Sequence, residues 1–366
     1  MYILMAMFIS FICSQLMSTE PGDGFQEDLY RQYFSIKEKN AWVDFCSQSS
    51  GIMEQSPEVI ISLTSYPARI KTTWLSVESL LRQDTKPAKV VLNLFEGEFP
   101  DRKLPETIEK QITRGLEINW CQENLKVYLK IIPTIQKYPE ALVVATDDDI
   151  IYPPNLVADL LEGHKKYPNC IIAKSTRRII VKDNLILPVP YWSFSVFDNI
   201  IGTLEPSCFL IAEGVGGFLC PPHAFHADLN IKELFFKIAP TDDDAWYYTM
   251  SSIKGVKVAK VLSPEPKICI RNTQDIETAL WNTNSNNQCL VLSETFKKLF
   301  WAYDLGKNLN AEDMLTKVNC TDSMFVKINW FSSLIFRSLA NYKNHGYYKT
   351  SFRNIISGIY RYLVWR

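Results

Sequence analysis

The sequence predicts a doubly wound α/β fold, and three observations carry that expectation. Short apolar runs such as Val59–Thr64 and Leu142–Ala145 lack the polar alternation of a half-exposed strand, so they suit strands buried on both faces of a parallel sheet. Those runs alternate with amphipathic helical stretches from the start of the globular region. A run of three carboxylates, Asp147-Asp148-Asp149, directly follows the second of these strands, at the end of the sheet where open α/β folds place their ligands.

Taken in order, Val59-Ile60-Ile61-Ser62-Leu63-Thr64 is the first strand, ending in Ser65-Tyr66-Pro67-Ala68-Arg69. Small hydroxyl side chains and an Arg just past a first strand suit a nucleotide or its phosphates, and equally a plain strand-to-helix turn with caps. Thr73 to Gln83 follows as an amphipathic helix, with Trp74, Val77, Leu80 and Leu81 at helical spacing. Lys89 to Phe95 is the second strand and Glu106 to Gly115 the second helix, with Gly115 as its C-terminal cap. Leu116-Glu117-Ile118 reads as a short strand, and Lys126 to Tyr138, carrying Lys130, as helix or turn. The central strand is Leu142 to Ala145, followed after the acidic run and Tyr152-Pro153-Pro154 by a helix from Asn155 to Lys166. Ile171–Ala173 and Arg178–Val181 read as strands separated by a tight turn. Leu187 to Ser195 is irregular and aromatic.

Two later stretches stand out. Glu213-Gly214-Val215-Gly216-Gly217-Phe218-Leu219 is the most Gly-dense part of the chain. It has neither the Lys-Ser/Thr of a P-loop nor a strand–GxGxxG–helix context, so it permits either close approach to a ligand or a bend at a sheet edge. Thr241-Asp242-Asp243-Asp244-Ala245-Trp246 opens a helix through Ser252, where Thr241 or Asp242 is a good N-cap. A carboxylate among carboxylates also has a raised pKa, which suits a general base, and Trp246 one turn on could stack on a sugar ring.

The acidic triplet itself requires a counter-charge, because three adjacent carboxylates repel one another. A hard divalent ion that keeps some waters and completes its shell with phosphate oxygens meets that need; a solvated acidic turn is the simpler alternative. An EF-hand is excluded, since no Gly and no bidentate Glu follow at the required spacing.

The 366-residue chain is long enough for one large domain with appendages or for two modest ones. Its formal net charge of −1 gives no global pull toward nucleic acid. Nine scattered Cys without CxxC spacing argue for a reducing compartment rather than a disulfide framework. Met1 to Met17 is apolar but broken by Ser10, Ser14 and Gln15. It lacks a basic n-region and is short for a membrane span, so a cleaved signal peptide is not expected. At the other end, Ser323 to Arg366 has no Asp or Glu, and its Lys and Arg alternate with aromatics. That composition suits a membrane-surface element drawn to anionic lipid; RNA binding or a face packed on the domain are the alternatives.

In the order Leu63–Ile70, Ser79–Pro87, Thr146–Pro153, Gly214–Gly217 and Asp243–Trp246, these motifs resemble bacterial glycosyltransferases of the GT-A fold, the family 2-like class of O-antigen and capsule assembly. The resemblance runs from about Pro57 to Leu292. It implies a Rossmann-like, mostly parallel sheet with flanking helices, and the basic, aromatic stretch beyond it is expected to add a helical C-terminal extension. The expected domains are a lead-in over 1–56, a catalytic domain over 57–292 and a basic, aromatic extension over 293–366. It implies a metal-dependent transfer of a sugar from a nucleotide-diphosphate donor to a hydroxyl of a lipid-linked or surface-polysaccharide acceptor, with inversion. Asp147 and Asp149 would hold Mn2+ or Mg2+, and Thr64, Ser65, Tyr66, Arg69, Lys130, Asp147 and Asp148 would bind the donor. Gly216, Gly217 and Trp246 would meet the acceptor, and Asp244, or else Asp243, would be the base. The implied location is cytoplasmic and peripheral to the inner membrane, with no nucleic-acid partner. One departure is Asn286-Asn287-Gln288, where the family pattern suggests a carboxylate. The rival readings are a sugar-phosphate nucleotidyltransferase and an inactive carbohydrate-binding module.

Overall fold

A computed structural model describes residues 50–303 apart from 54–57, 180, 183–184, 187–191, 195–204, 262–267, 271–272 and 274–289. The expectations for Met1 to Met17, Leu187 to Tyr191, Asn286 to Gln288 and the basic C-terminal stretch therefore lie outside the described residues.

The fold is the α/β sheet with flanking helices that the sequence predicts. Seven strands form the main sheet: β1 (Val59–Thr64), β2 (Lys89–Phe95), β3 (Leu116–Cys121), β4 (Leu142–Ala145), β5 (Ile171–Ala173), β9 (Phe218–Cys220) and β10 (Val258–Lys260). Their order across the sheet is β10-β5-β9-β4-β1-β2-β3. β1 runs parallel to β2 and β4, β2 to β3, and β10 to β5, whereas β9 runs antiparallel between β4 and β5. Crossing helices make the parallel pairings possible. These are α1 (Ile70–Leu81), α2 (Glu106–Ile112), α3 (Ile132–Lys137) and α4 (Leu156–Lys166). β1 and β4 are central strands, and every side chain of β4 is buried, which is why that segment is apolar without alternation.

Three local expectations shift. α1 begins at Ile70 rather than Thr73, because the Tyr66 carbonyl accepts from the N–H groups of Arg69 and Ile70 and starts the turn early. β3 extends to Cys121, since pairing with β2 continues through Asn119, Trp120 and Cys121 and overrides their weak strand pattern. The strand expected at Arg178–Val181 begins earlier, at Thr176, and does not pair with Ile171–Ala173. Instead β6 (Thr176–Arg178) pairs antiparallel with β7 (Ser193–Phe194) and β8 (Leu210–Ala212) in a separate three-stranded sheet.

Between α1 and α2 the buried Glu78 carboxylate is held by Arg114 at 2.5 Å, by Arg82 at 2.8 Å and by Gln111 at 3.1 Å. A buried carboxylate needs such partners, and here they clamp the two helices together. Elsewhere α5 (Asp243–Ile253) packs against α6 (Leu290–Tyr303), with Tyr248 against Phe296 and Trp246 against Tyr303. Phe296 and Leu299 of α6 lie in the same buried core as the α5 side chains.

Candidate functional site

The apolar strand β4 gives way to Thr146, whose backbone N–H still bonds the Ser62 carbonyl of β1. Asp147–Asp149 then turns out of the sheet, and its backbone is pinned from three directions. Ser76 of α1 donates to the Asp147 carbonyl at 2.8 Å, the Asp147 N–H donates to the Tyr152 hydroxyl at 2.8 Å, and the Ile270 N–H donates to the Asp149 carbonyl at 2.8 Å. Such anchoring holds the carboxylates together against their repulsion.

The side chains divide by partner. Asp148 is buried behind the turn, with one oxygen on Arg69 at 2.8 Å and the other on Ser65 at 2.6 Å. A donor contact from Asp148 would have to displace one of them. Arg69 also reaches Asp149 at 3.1 Å. Burial first, and then repulsion by Asp147 and Asp148, raises the Asp149 carboxyl to about 7 despite Arg69. Asp147 is the most open of the three, its side chain 23% exposed, and it pairs with Lys130 at 2.7 Å. Thr64 donates to the Asn93 carbonyl at 2.9 Å, and Tyr66 lies beside the Arg69 guanidinium, 5.7 Å from it to the ring centre.

The second acidic cluster arrives at the same place. Asp242 caps α5 through the Ala245 N–H at 3.1 Å, so the capping function expected of this stretch is present. Asp243 pairs with the other side of Lys130 at 2.9 Å. The Asp244 carboxylate accepts from the Gly214 N–H at 3.2 and 3.3 Å. Burial alone would lower the Lys130 ammonium, but Asp147, Asp243 and Asp244 together hold its pKa well above the ordinary range. Burial, then Asp243, pushes Asp244 well above the usual carboxylate range.

The Gly-rich stretch is a 3-10 turn, Gly214–Gly216, that leads into β9 in the middle of the sheet rather than at its edge. Gly216 lies against Ser175, and Gly217 has φ 79°, a conformation that favours Gly. The glycine that faces the acids is Gly214. A Cβ there would sit 2.7 Å from the Lys130 ammonium and 3.0 Å from an Asp147 oxygen. Trp246 differs from expectation too. It is fully buried, its ring against Phe235 and Tyr303 and its indole N–H on the Leu229 carbonyl, so it presents no face to a sugar. The helical period that puts Asp243 and Asp244 at the site turns Trp246 into the core.

Two residues play parts that their sequence positions do not specify. The Tyr152 hydroxyl, besides receiving the Asp147 N–H, donates to the Gly214 carbonyl at 3.2 Å and so ties the two turns together. Ser65 serves Asp148 rather than lying open. The Pro-flanked Tyr after the acidic run is the one visible hint of the first.

The cap has a pH signature. Burial raises the Asp242 carboxyl from 3.8 to about 6, so the folded protein binds this proton more tightly than the unfolded chain. The group's stabilising contribution is full below about 4 and is lost as pH rises through about 6. Asp242→Asn keeps the cap and has no charge to bury. It should remove this decline and melt no lower than wild type at neutral pH, while Asp242→Ala loses about 0.5–2 kcal/mol. Melting curves across that pH range decide it.

No known family profile matches this sequence, and no curated protein does. Among solved structures, the chain is similar to a mannosyltransferase from Pyrobaculum calidifontis in complex with GDP-Man and Mn2+. The identity is 14%, with 92% of this chain and 95% of that one covered and a TM-score of 0.41. Among the described residues no helix is long and apolar enough to cross a membrane.

Proposed function

We propose that the protein is a nucleotide-sugar-dependent glycosyltransferase. One observation carries the reading: Lys130 joins Asp147 at the end of β4 to Asp243 at the start of α5, bringing a phosphate-handling acidic turn and a second set of carboxylates into one site. Binding alone needs no second set; transfer to a hydroxyl needs a base. A nucleotidyltransferase would instead require a Gly-rich phosphate loop after β1, and Ser65-Tyr66-Pro67-Ala68-Arg69 is not one.

In this reading the acceptor hydroxyl oxygen bonds to the anomeric carbon of the donor sugar. The bond from that carbon to the diphosphate breaks, its electron pair leaves with the diphosphate, and the hydroxyl proton passes to the Asp244 carboxylate. Attack on the face opposite the leaving group inverts the centre. Arg69 and Lys130 are the cations that serve the diphosphate, and Thr64 and Tyr66, at the end of β1, serve the nucleoside.

A divalent ion fits the charge balance. Among the described residues, the carboxylates of Asp147, Asp148, Asp149, Asp243 and Asp244 gather around two cations, Arg69 and Lys130. Among the same residues no group of three or more His, Cys, Asp or Glu is poised to hold an ion alone. Mn2+ or Mg2+ would thus take one or two carboxylates, Asp147 and Asp149, and complete its shell with donor phosphate oxygens and water. When bound, the ion supplies charge neutralisation at the leaving diphosphate. The acceptor is read as a lipid-linked or surface glycan, approached at a membrane face by the basic, aromatic residues after 322.

The test is a panel of UDP-, GDP- and CMP-sugars with Mn2+ or Mg2+, followed by released nucleotide and by calorimetry of the free nucleotide. Wild type should release nucleotide from at least one donor. Asp147→Asn and Asp149→Asn should abolish release and weaken the metal dependence of nucleotide binding, with melting temperature maintained. Unchanged metal dependence in both variants would overturn the metal assignment; no release from any donor would overturn the transferase.

A further inference from the structure

The first three strands of the sheet each carry a polar amide or hydroxyl in a largely apolar setting: Ser62 on β1, Asn93 on β2 and Asn119 on β3. Ser62 and Asn93 are wholly buried, as is Thr134 on α3. They form one connected network. Asn119 donates to the Asn93 side-chain carbonyl at 2.8 Å, and the Asn93 amide donates to Thr134 at 2.9 Å and Ser62 at 3.1 Å. Ser62 and Thr134 share a hydrogen bond at 2.6 Å. The network reaches the backbone of the Lys130 turn, where the Ser62 hydroxyl donates to the Lys130 carbonyl at 2.5 Å; its other backbone contact is a longer one, 3.4 Å from the Asn93 amide to the Leu63 carbonyl.

Packing alone does not require this arrangement. Val or Leu at these positions would fill the space without desolvating amides and hydroxyls, and apolar replacement of such networks is often neutral or stabilising. A buried polar network that is fully satisfied instead specifies one geometry. The geometry specified here includes the Lys130 backbone, which takes the shortest of these bonds. Lys130 closes a 3-10 turn, Lys126–Lys130, that begins with Lys126 at φ 53°, an unfavourable conformation for a side chain of that kind. Its own side chain is a flexible four-carbon stem whose ammonium must reach both Asp147 and Asp243. Fixing the base of that stem is what allows the tip to span the two acidic clusters.

We infer that Ser62, Asn93 and Thr134, backed by Asn119, are positioning residues whose role is to aim Lys130 between Asp147 and Asp243. Their hydrogen bonds lead to the Lys130 backbone rather than to the acids, so they act through that backbone. The inference rests on the transferase reading only for its activity readout, and a second readout is independent of it.

The variant Ser62→Ala/Asn93→Leu/Thr134→Val removes the network while keeping the side-chain branching of Asn93 and Thr134. Lys130 reactivity toward an amine-acylating reagent is followed by peptide mass spectrometry, beside melting temperature and the kcat of nucleotide release. The expected result is Lys130 labelling about tenfold faster, the change that ~1.4 kcal/mol of lost anchoring produces. A fall in kcat of about 10²-fold at unaltered folded fraction should accompany it, the usual consequence of displacing a catalytic-site group by about 1 Å. Ser62→Thr, which keeps the hydroxyl, should label like wild type. Should the triple variant not fold, Ser62→Ala alone, which removes only the hydroxyl on the Lys130 carbonyl, is read in the same assays. Unchanged Lys130 labelling overturns the inference whatever happens to activity. A wild type that releases no nucleotide sinks the transferase instead, and labelling still decides this proposal.

Discussion

Asp244→Asn is expected to lower turnover about 10²–10⁴-fold, the range for loss of a general base, with nucleotide affinity and melting temperature close to wild type. The position combines three properties. The carboxylate sits on the first turn of α5, lies inside the site, and has a pKa raised by burial and by Asp243, so it holds a proton more readily than an ordinary Asp. It is held by the Gly214 N–H at 3.2 Å, a neutral donor, whereas Asp243 is committed to Lys130 at 2.9 Å. An ion-paired carboxylate is a poorer proton acceptor than one held by an amide. Asp243→Asn should accordingly reduce turnover less than Asp244→Asn and disturb Lys130 more. Steady-state kinetics of both variants, with nucleotide calorimetry, check the order. Near-normal turnover in Asp244→Asn would move the base elsewhere.

Lys130→Met is expected to destabilise the fold by about 3–5 kcal/mol and to abolish detectable nucleotide binding. Lys130 is 6% exposed and is the shared partner of Asp147 and Asp243. Removing it strands two carboxylates in a cluster that already repels itself, and Asp243, whose carboxyl burial has already raised, relieves part of that by taking up a proton. The loss should therefore be larger at alkaline than at mildly acidic pH. Lys130→Arg should not restore binding, because a planar fork cannot replace a compact ammonium between two close acids. Thermal melts at two pH values and nucleotide titration measure both parts. A Lys130→Met protein that melts like wild type at both pH values would show that the carboxylates need no such partner.

Legibility in the sequence tracks locality. β1, β2 and β4 begin and end where the mostly apolar runs do, since a strand buried on both faces favours apolar residues along most of its length. The Asp242 cap and the helix behind it are readable because a cap depends on neighbours within one turn. β6 follows β5 after a short turn but does not pair with it. Its partners β7 and β8 are remote along the chain, and a strand of three residues carries no record of whom it pairs with. Gly214, rather than Gly216 or Gly217, meets the acids, as density of glycine marks a bend but not which glycine faces a ligand. Trp246 reads as an acceptor platform only while its exposure is unknown, and the packing of α6 across α5 buries it.

What the sequence determined by itself is the alternation of buried strands and amphipathic helices, the acidic turn at the end of β4 and the second acidic turn capping α5, each specified by periodicity and capping over a few residues. The tertiary structure alone decided that these two turns share Lys130, that Arg69 and Ser65 engage Asp148, and that Tyr152 ties the acidic turn to Gly214. Asp147 and Asp243 lie far apart along the chain. Lys130 brings them together, and β9, antiparallel beside β4, carries Gly214 to the same place. Strand order is a global choice made by the packing of the whole core, and no local pattern encodes it.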